Sequence, residues 1–160
     1  MDRGVIVGDI RGIATVNGIK PDLFEAICTV ESSLNPFAIR FEPAYKYFYF
    51  VRENASRLNI TVETETMLQA SSYGLCQMMG AGIRELGFAG NLTECFGDYK
   101  IVLKFGALHL KKLLVRYNDE ADVISAYNAG TAIKTMGGMY QNQQYVDKVH
   151  AALTKLRAMP

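Results

Sequence analysis

Residues 21–34, PDLFEAICTVESSL, read as a helix with almost no polar face, and this limits the fold more than any other stretch. Leu23, Ile27, Val30 and Leu34 recur at spacings of four, three and four, the period of one helix face. Phe24, Ala26 and Cys28 spread apolar surface over the neighbouring faces. Pro21 and Asp22 suit a first helical turn, and Asn35 before Pro36 disfavours continuation of the helix. A helix apolar on most sides has to be enclosed by other elements. The chain has the means to enclose it, with 160 residues of which 49% are hydrophobic and 21% charged, a balance that excludes a disordered chain. That length predicts one domain, spanning 1–160, and a chain of this size buries about two-thirds of its unfolded surface without disulfide or metal support.

The remaining elements are predominantly helical. Residues 98–117 carry Ile101, Val102, Phe105, Leu108, Leu113 and Tyr117 as an amphipathic stripe, with Lys111, Lys112 and Arg116 near the end where cations are favoured. Asn118 or Asp119 caps a further helix that stops at Gly130. Residues 143–157 form the last helix, with Tyr145, Val146, Val149, Leu153 and Leu156 inward. Residues 64–70 read as a short helix, 71–74 as a turn, and 75–86 as a helix interrupted by Gly80 and Gly82. Residues 44–58 are a helical candidate for which strand competes, because aromatics such as Tyr45, Tyr47, Phe48, Tyr49 and Phe50 also favour sheets. No alternating strand series stands out. The expected fold is mainly α, a helical single domain with at most a small β-hairpin.

Several function classes fall away on composition. Seventeen Lys and Arg against 16 Asp and Glu give a net charge of +1, too little for a global field that drives nucleic-acid binding. No apolar run approaches the roughly 20 residues of a membrane span. The N-terminus lacks the compact apolar core of a secretory signal, so synthesis in the cytoplasm or an unusual export route is expected. Cys28, Cys76 and Cys95 form no CxxC pair, and His109 and His150 stand alone, so no metal or other cofactor is expected and the cysteines are expected to be small core residues.

One acid stands out on the apolar helix. Glu31 lies on the side that carries Phe24, Ile27 and Cys28, in the last turn, where the helix dipole is negative. Burial and a negative helix end both raise a carboxyl pKa, and an acid that keeps its proton near neutrality is what general acid catalysis requires. The alternative is a helix-end glutamate pointing to solvent.

The surrounding residues favour the chemical reading. Glu31-Ser32-Ser33-Leu34-Asn35-Pro36-Phe37-Ala38 resembles the E-S-x-x-N-P-x-A motif of the soluble lytic transglycosylase family, relatives of goose-type lysozyme. Ser72-Tyr73-Gly74-Leu75-Cys76-Gln77-Met78-Met79 resembles its S-x-G-L-M-Q-x-M motif, with Cys76 where Met is usual. Ala126-Tyr127-Asn128-Ala129-Gly130 matches A-Y-N-A-G, and Tyr145-Val146 matches a Tyr-Val pair opening the final helix. The resemblance covers nearly all of the chain beyond its first 20 residues, which are taken as an N-terminal extension. The insert at 41–70, opening Phe41-Glu42-Pro43, resembles phage and prophage members.

The resemblance implies a lysozyme-like fold and a peptidoglycan substrate, cut at the β-1,4 bond between N-acetylmuramic acid and N-acetylglucosamine to leave a 1,6-anhydro end. Glu31 would be acid and then base. Ser32 would orient Glu31 or touch substrate, or simply bond the helix carbonyls. Tyr127 would point its hydroxyl at the catalytic carboxyl, and Tyr145 would cover it from the far side. Ser72, Gln77, Met78 and Asn128 would bind substrate along the groove, although Met78 also fits a core role. Glycan strands are the implied partner of a monomer that inserts in no membrane, an endolysin, virion or secretion-associated enzyme acting on the cell wall. Two alternatives remain: a hydrolytic muramidase using a second carboxylate such as Glu42, and a non-catalytic glycan-binding part of a virion or secretion machine. The tyrosines at 45, 47 and 49 are glycan-stacking candidates if they line the cleft, with core packing favoured for the phenylalanines.

Overall fold

The computed structural model describes residues 2–158, so the outermost residues of the expected 1–160 domain lie outside it. Among these residues the chain is mainly helical, with a small antiparallel sheet. The element order is α1 (Arg3–Val16), α2 (Pro21–Ser32), β1 (Ile39–Phe41), α3 (Val51–Leu58), α4 (Val62–Gln69), β2 (Ser71–Tyr73), β3 (Met78–Met79), α5 (Gly80–Glu85), α6 (Glu94–Gly97), α7 (Tyr99–Arg116), α8 (Glu120–Ala129) and α9 (Gln143–Arg157). The sheet order is β1-β2-β3, so a third strand extends the expected hairpin.

Helix α2 is the centre of the molecule. Leu23, Phe24, Ala26, Ile27 and Cys28 are fully enclosed, with α1 and α9 as its main helical neighbours. Helix α9 runs antiparallel to it. Asp22 at the start of α2 accepts from Arg157 at the end of α9, 2.6 Å, and Glu31 at the end of α2 accepts from Tyr145 at the start of α9. Helix α1 was expected only as an extension. It instead packs Ile6, Ile10 and Ala14 into the core, and Asp2 caps its start. Gly4, Gly8 and Gly12 obscure that four-residue period in the sequence, and nothing crowds Gly8 or Gly12 on the outer side.

The long helices otherwise follow the sequence pattern. The departures fall between residues 41 and 86. Residues 44–50 are neither helix nor strand but an irregular strap, and only 51–58 become helical. The Gln69 carboxamide holds the strap as a partner strand would: Tyr49 N–H donates to Oε1, 2.8 Å, and Nε2 donates to Tyr49 O, 2.9 Å. Phe48 and Phe50 are 39% and 61% exposed, so the phenylalanines of the strap do not enter the core. The turn expected at 71–74 is mostly strand β2, and the helix expected at 75–86 begins only at Gly80, after β3. Left-handed backbone at Gly74 (φ +62°) and Gln77 (φ +47°) makes the hairpin between them. Gly80 packs so closely on the backbone of Leu68 and Gln69 that a Cβ would not fit.

A buried ion pair ties this region together. Arg84 donates to both carboxylate oxygens of Glu65, 2.8 and 3.0 Å, and to the carbonyls of Phe88 and Gly90. Glu65 also accepts from Gln69 Nε2, 2.9 Å, so the chain of bonds runs from α5 through α4 to the strap. Removing one member of a buried pair leaves an uncompensated charge, a loss of about 3–5 kcal/mol. Arg84→Met is therefore expected to lower unfolding free energy by about that much in urea titration. A change below about 1 kcal/mol would show that the pair is dispensable.

Candidate active site

The end of α2 opens onto a groove of about 870 Å³, whose lining includes Glu31, Arg40, Glu42, Ser72, Gln77, Met78, His109, Tyr127 and Asn128. Helix α2 ends early because Ser33 and Leu34 both turn left-handed, at φ +55° and +63°. Backbone strain of this kind persists where surrounding packing enforces it. Here it drives Leu34 into the core, where it is 6% exposed, and leaves Glu31 at the groove edge of the helix.

Glu31 is partly buried, and among the described residues no cation forms an ion pair with it. Tyr145 Oη donates to its Oε1 at 2.6 Å. Burial pushes the Glu31 carboxyl above its ordinary value, against the opposing pull of the Tyr145 hydroxyl and the Arg40 charge. The same contact, together with burial, pushes the Tyr145 phenol well up, so it remains a donor. The other acids differ. Glu25 lies six residues earlier and is engaged by Arg11 at 2.6 Å, away from the groove. Glu42 does line the groove and sits in an ion pair with Arg40.

The motif residues divide by what they touch. The Tyr127 hydroxyl does not reach Glu31; it donates to Cys76 O at 2.9 Å. Tyr145 holds the catalytic-acid candidate instead. Ser32 Oγ donates to Leu75 O, 2.8 Å, and lies 3.3 Å from Cys28 O, so it fastens α2 to the hairpin and makes no bond to Glu31. Ser72 Oγ donates to Gln77 Oε1, 2.9 Å, and Gln77 Nε2 donates to the carbonyls of Gly74 and Ala38. That pair braces the hairpin, leaving the Gln77 carboxamide already engaged. Met78 is 5% exposed and joins the core while reaching the groove wall. Asn128 Oδ1 accepts from Asn142 Nδ2, 2.9 Å, at the exposed end of α8.

Cys76 is fully buried at the position where the motif usually has Met. Its sulfur packs on Gly106 of α7 so tightly that a Cβ there would collide with it. The shorter side chain thus goes with a close approach of α7 to the hairpin. All three cysteines are buried and free, as expected of core residues.

His109 is one of the lining residues, with Arg40, Lys112 and Arg116, to which sequence reasoning gave no part in the site. Its ring meets Tyr127 edge-on, centroids 5.4 Å apart. Burial and the Lys112 charge push its imidazole below the ordinary value, so it is held neutral. Its helical spacing from Lys112 and Arg116 was the available signal, but helix 98–117 offers many polar positions with the same period. Among the described residues no cluster of His, Cys, Asp and Glu is placed to hold a metal ion.

A family model described as transglycosylase SLT domain matches residues 10–148. The chain belongs to that family. Membership implies lytic transglycosylase activity on peptidoglycan in general terms. Neither a curated protein nor a solved structure matches the chain. The family match begins inside α1, so it includes part of the segment expected as an extension. Among the described residues no helix of this SLT domain is long and apolar enough to cross a membrane.

The Glu31–Tyr145 contact sets a measurable titration. The hydroxyl favours the charged carboxylate, so Tyr145→Phe raises the Glu31 pKa. Hydrogen bonds to charged groups contribute about 1.5–3 kcal/mol, and 1.36 kcal/mol corresponds to one unit, so a rise of about one to two units is expected. Carbon-13 NMR titration of the glutamate carboxyls reads it; a lowered or unmoved Glu31 value would contradict this account of the site.

Proposed function

We propose that this SLT domain cleaves the β-1,4 bond between N-acetylmuramic acid and N-acetylglucosamine by the lytic route, with Glu31 as acid and then base. The observation that carries the reading is a groove-lining carboxyl raised by burial, contacted by a neutral phenol and paired with no cation. Protonated Glu31 gives its proton to the glycosidic oxygen as the C1–oxygen bond breaks and the sugar becomes oxocarbenium-like. The resulting carboxylate takes the proton of the muramoyl C6 hydroxyl, and that oxygen bonds to C1. The anhydro ring closes without water, and Glu31 ends protonated.

Tyr145 has a positioning role in this scheme: its hydroxyl fixes the carboxyl rotamer and stabilises the carboxylate formed midway. Ser32, Ser72 and Gln77 act through the backbone by holding α2 and the hairpin in register. Tyr127 holds the Cys76 carbonyl and lines the groove, while Met78 and Asn128 line the glycan path. The place of action is the cell wall, where this polymer lies.

A second reading has one observation in its favour. Glu42 lines the same groove as Glu31, so a hydrolytic route with Glu42 activating water has a carboxylate available. Its carboxylate is already engaged by Arg40, which leaves the lytic route ahead.

Mass spectrometry of muropeptides from purified peptidoglycan decides between them. Anhydromuramoyl products are expected from the wild type, with a loss of about 10²- to 10⁴-fold in Glu31→Gln. Reducing ends, one water heavier and lost in Glu42→Gln, would move the protein to the muramidase reading. Full activity in folded Glu31→Gln would remove Glu31 from the chemistry. In the wild type, activity is expected to fall as pH rises through the raised Glu31 pKa, because the acid form is required at the first step.

A further inference from the structure

The lining of the groove includes one stripe of α7: His109, Lys112 and Arg116, spaced three and four apart. At 1.5 Å per residue the stripe runs about 10 Å along the helix. Its inner end is the uncharged His109, which meets Tyr127. Its outer end is cationic. Among the described residues no carboxylate pairs with Arg116, whose guanidinium lies over the Tyr117 ring, 5.2 Å from its centroid. Lys112 meets Glu85 at 3.5 Å, with both side chains about 60% exposed, a loose pair of the kind that contributes little. Arg40, the other guanidinium of the groove, is already taken by Glu42.

Two available cations along one groove wall are not needed to bind a neutral sugar backbone. The polymer that the family implies carries its negative charge on the muramoyl substituent: the lactyl group, and the carboxylates of any peptide attached to it. We infer that Lys112 and Arg116 form a carboxylate-binding subsite that reads this substituent as the glycan lies in the groove. Arg116 is the stronger contributor, since its planar fork suits a carboxylate and stacking on Tyr117 orders it beforehand. The reach of the stripe favours carboxylates of the stem peptide over the lactyl carboxylate close to the ring. This inference rests on a peptidoglycan substrate but not on which bond is cut or how.

The test measures binding with the Glu31→Gln protein, so that strands stay intact. Three soluble probes are used: neutral N-acetylglucosamine oligomers, amidase-stripped glycan strands that keep a free lactyl carboxylate, and strands with non-amidated stem peptides. Two exposed charge contacts are expected to give about fivefold tighter binding of the peptide-bearing strands than of the neutral oligomers, narrowing as salt rises. Adding Lys112→Ala and Arg116→Ala removes that preference, whereas Lys111→Ala, one position off the stripe, leaves it in place. If stripped strands bind as tightly as peptide-bearing ones, the lactyl carboxylate is the group read. Equal affinity for all three probes overturns the inference, as does a preference that survives the double variant or is lost equally in Lys111→Ala. Cleavage by the wild type is scored separately. Charge-dependent binding without cleavage would leave the subsite standing and remove the proposed reaction.

Discussion

The packing of α2 between α1 and α9 is the constraint on which the rest of the molecule depends. A helix with Leu23, Phe24, Ala26, Ile27 and Cys28 enclosed, and with Glu25 between them taken up by Arg11, leaves its ends for other polar work. One end is tied to α9 by the Asp22–Arg157 pair. The other delivers Glu31 to the groove, where the dipole of the helix, the loss of water and the absence of a paired cation act on the same carboxyl.

The contrast among the acids shows how the fold sets Glu31 apart from the glutamates held in ion pairs. Glu25 and Glu65 are each engaged by an arginine, the second pair wholly buried. Glu31 receives a phenol instead. A phenol gives a directed hydrogen bond with no full charge, so it orients the carboxyl and offsets part of the rise that burial causes without fixing it in the ionised form. The Glu65–Arg84–Gln69 network supports the site from a distance. It holds the strap beside the groove through backbone bonds to Tyr49, in a region with little apolar burial of its own.

Much of this was legible in the sequence. The helices at 21–32, 99–116, 120–129 and 143–157 declare themselves because each carries a sustained apolar period, and the first three also have a proline, aspartate or glycine at a boundary. The hairpin at 71–79 does not. Its strands are two or three residues long, too short for alternation to show, and left-handed Gln77 makes a turn that residue type does not announce. Helix α1 was hidden by its glycines, although Ile6, Ile10 and Ala14 keep the spacing. The strap at 44–50 has no local preference strong enough to decide it, so Gln69, twenty residues away, does.

By itself the sequence determined that an acid sits at the end of an apolar helix, and that four motifs in order point to one family. Those are properties of local pattern and residue order. Only the tertiary structure decided which tyrosine hydroxyl bonds Glu31. Tyr145 reaches Glu31 across 114 residues because α9 runs antiparallel to α2, while the Tyr127 hydroxyl is taken by the Cys76 carbonyl. Such pairings depend on where two helices meet in space, and no local period encodes that.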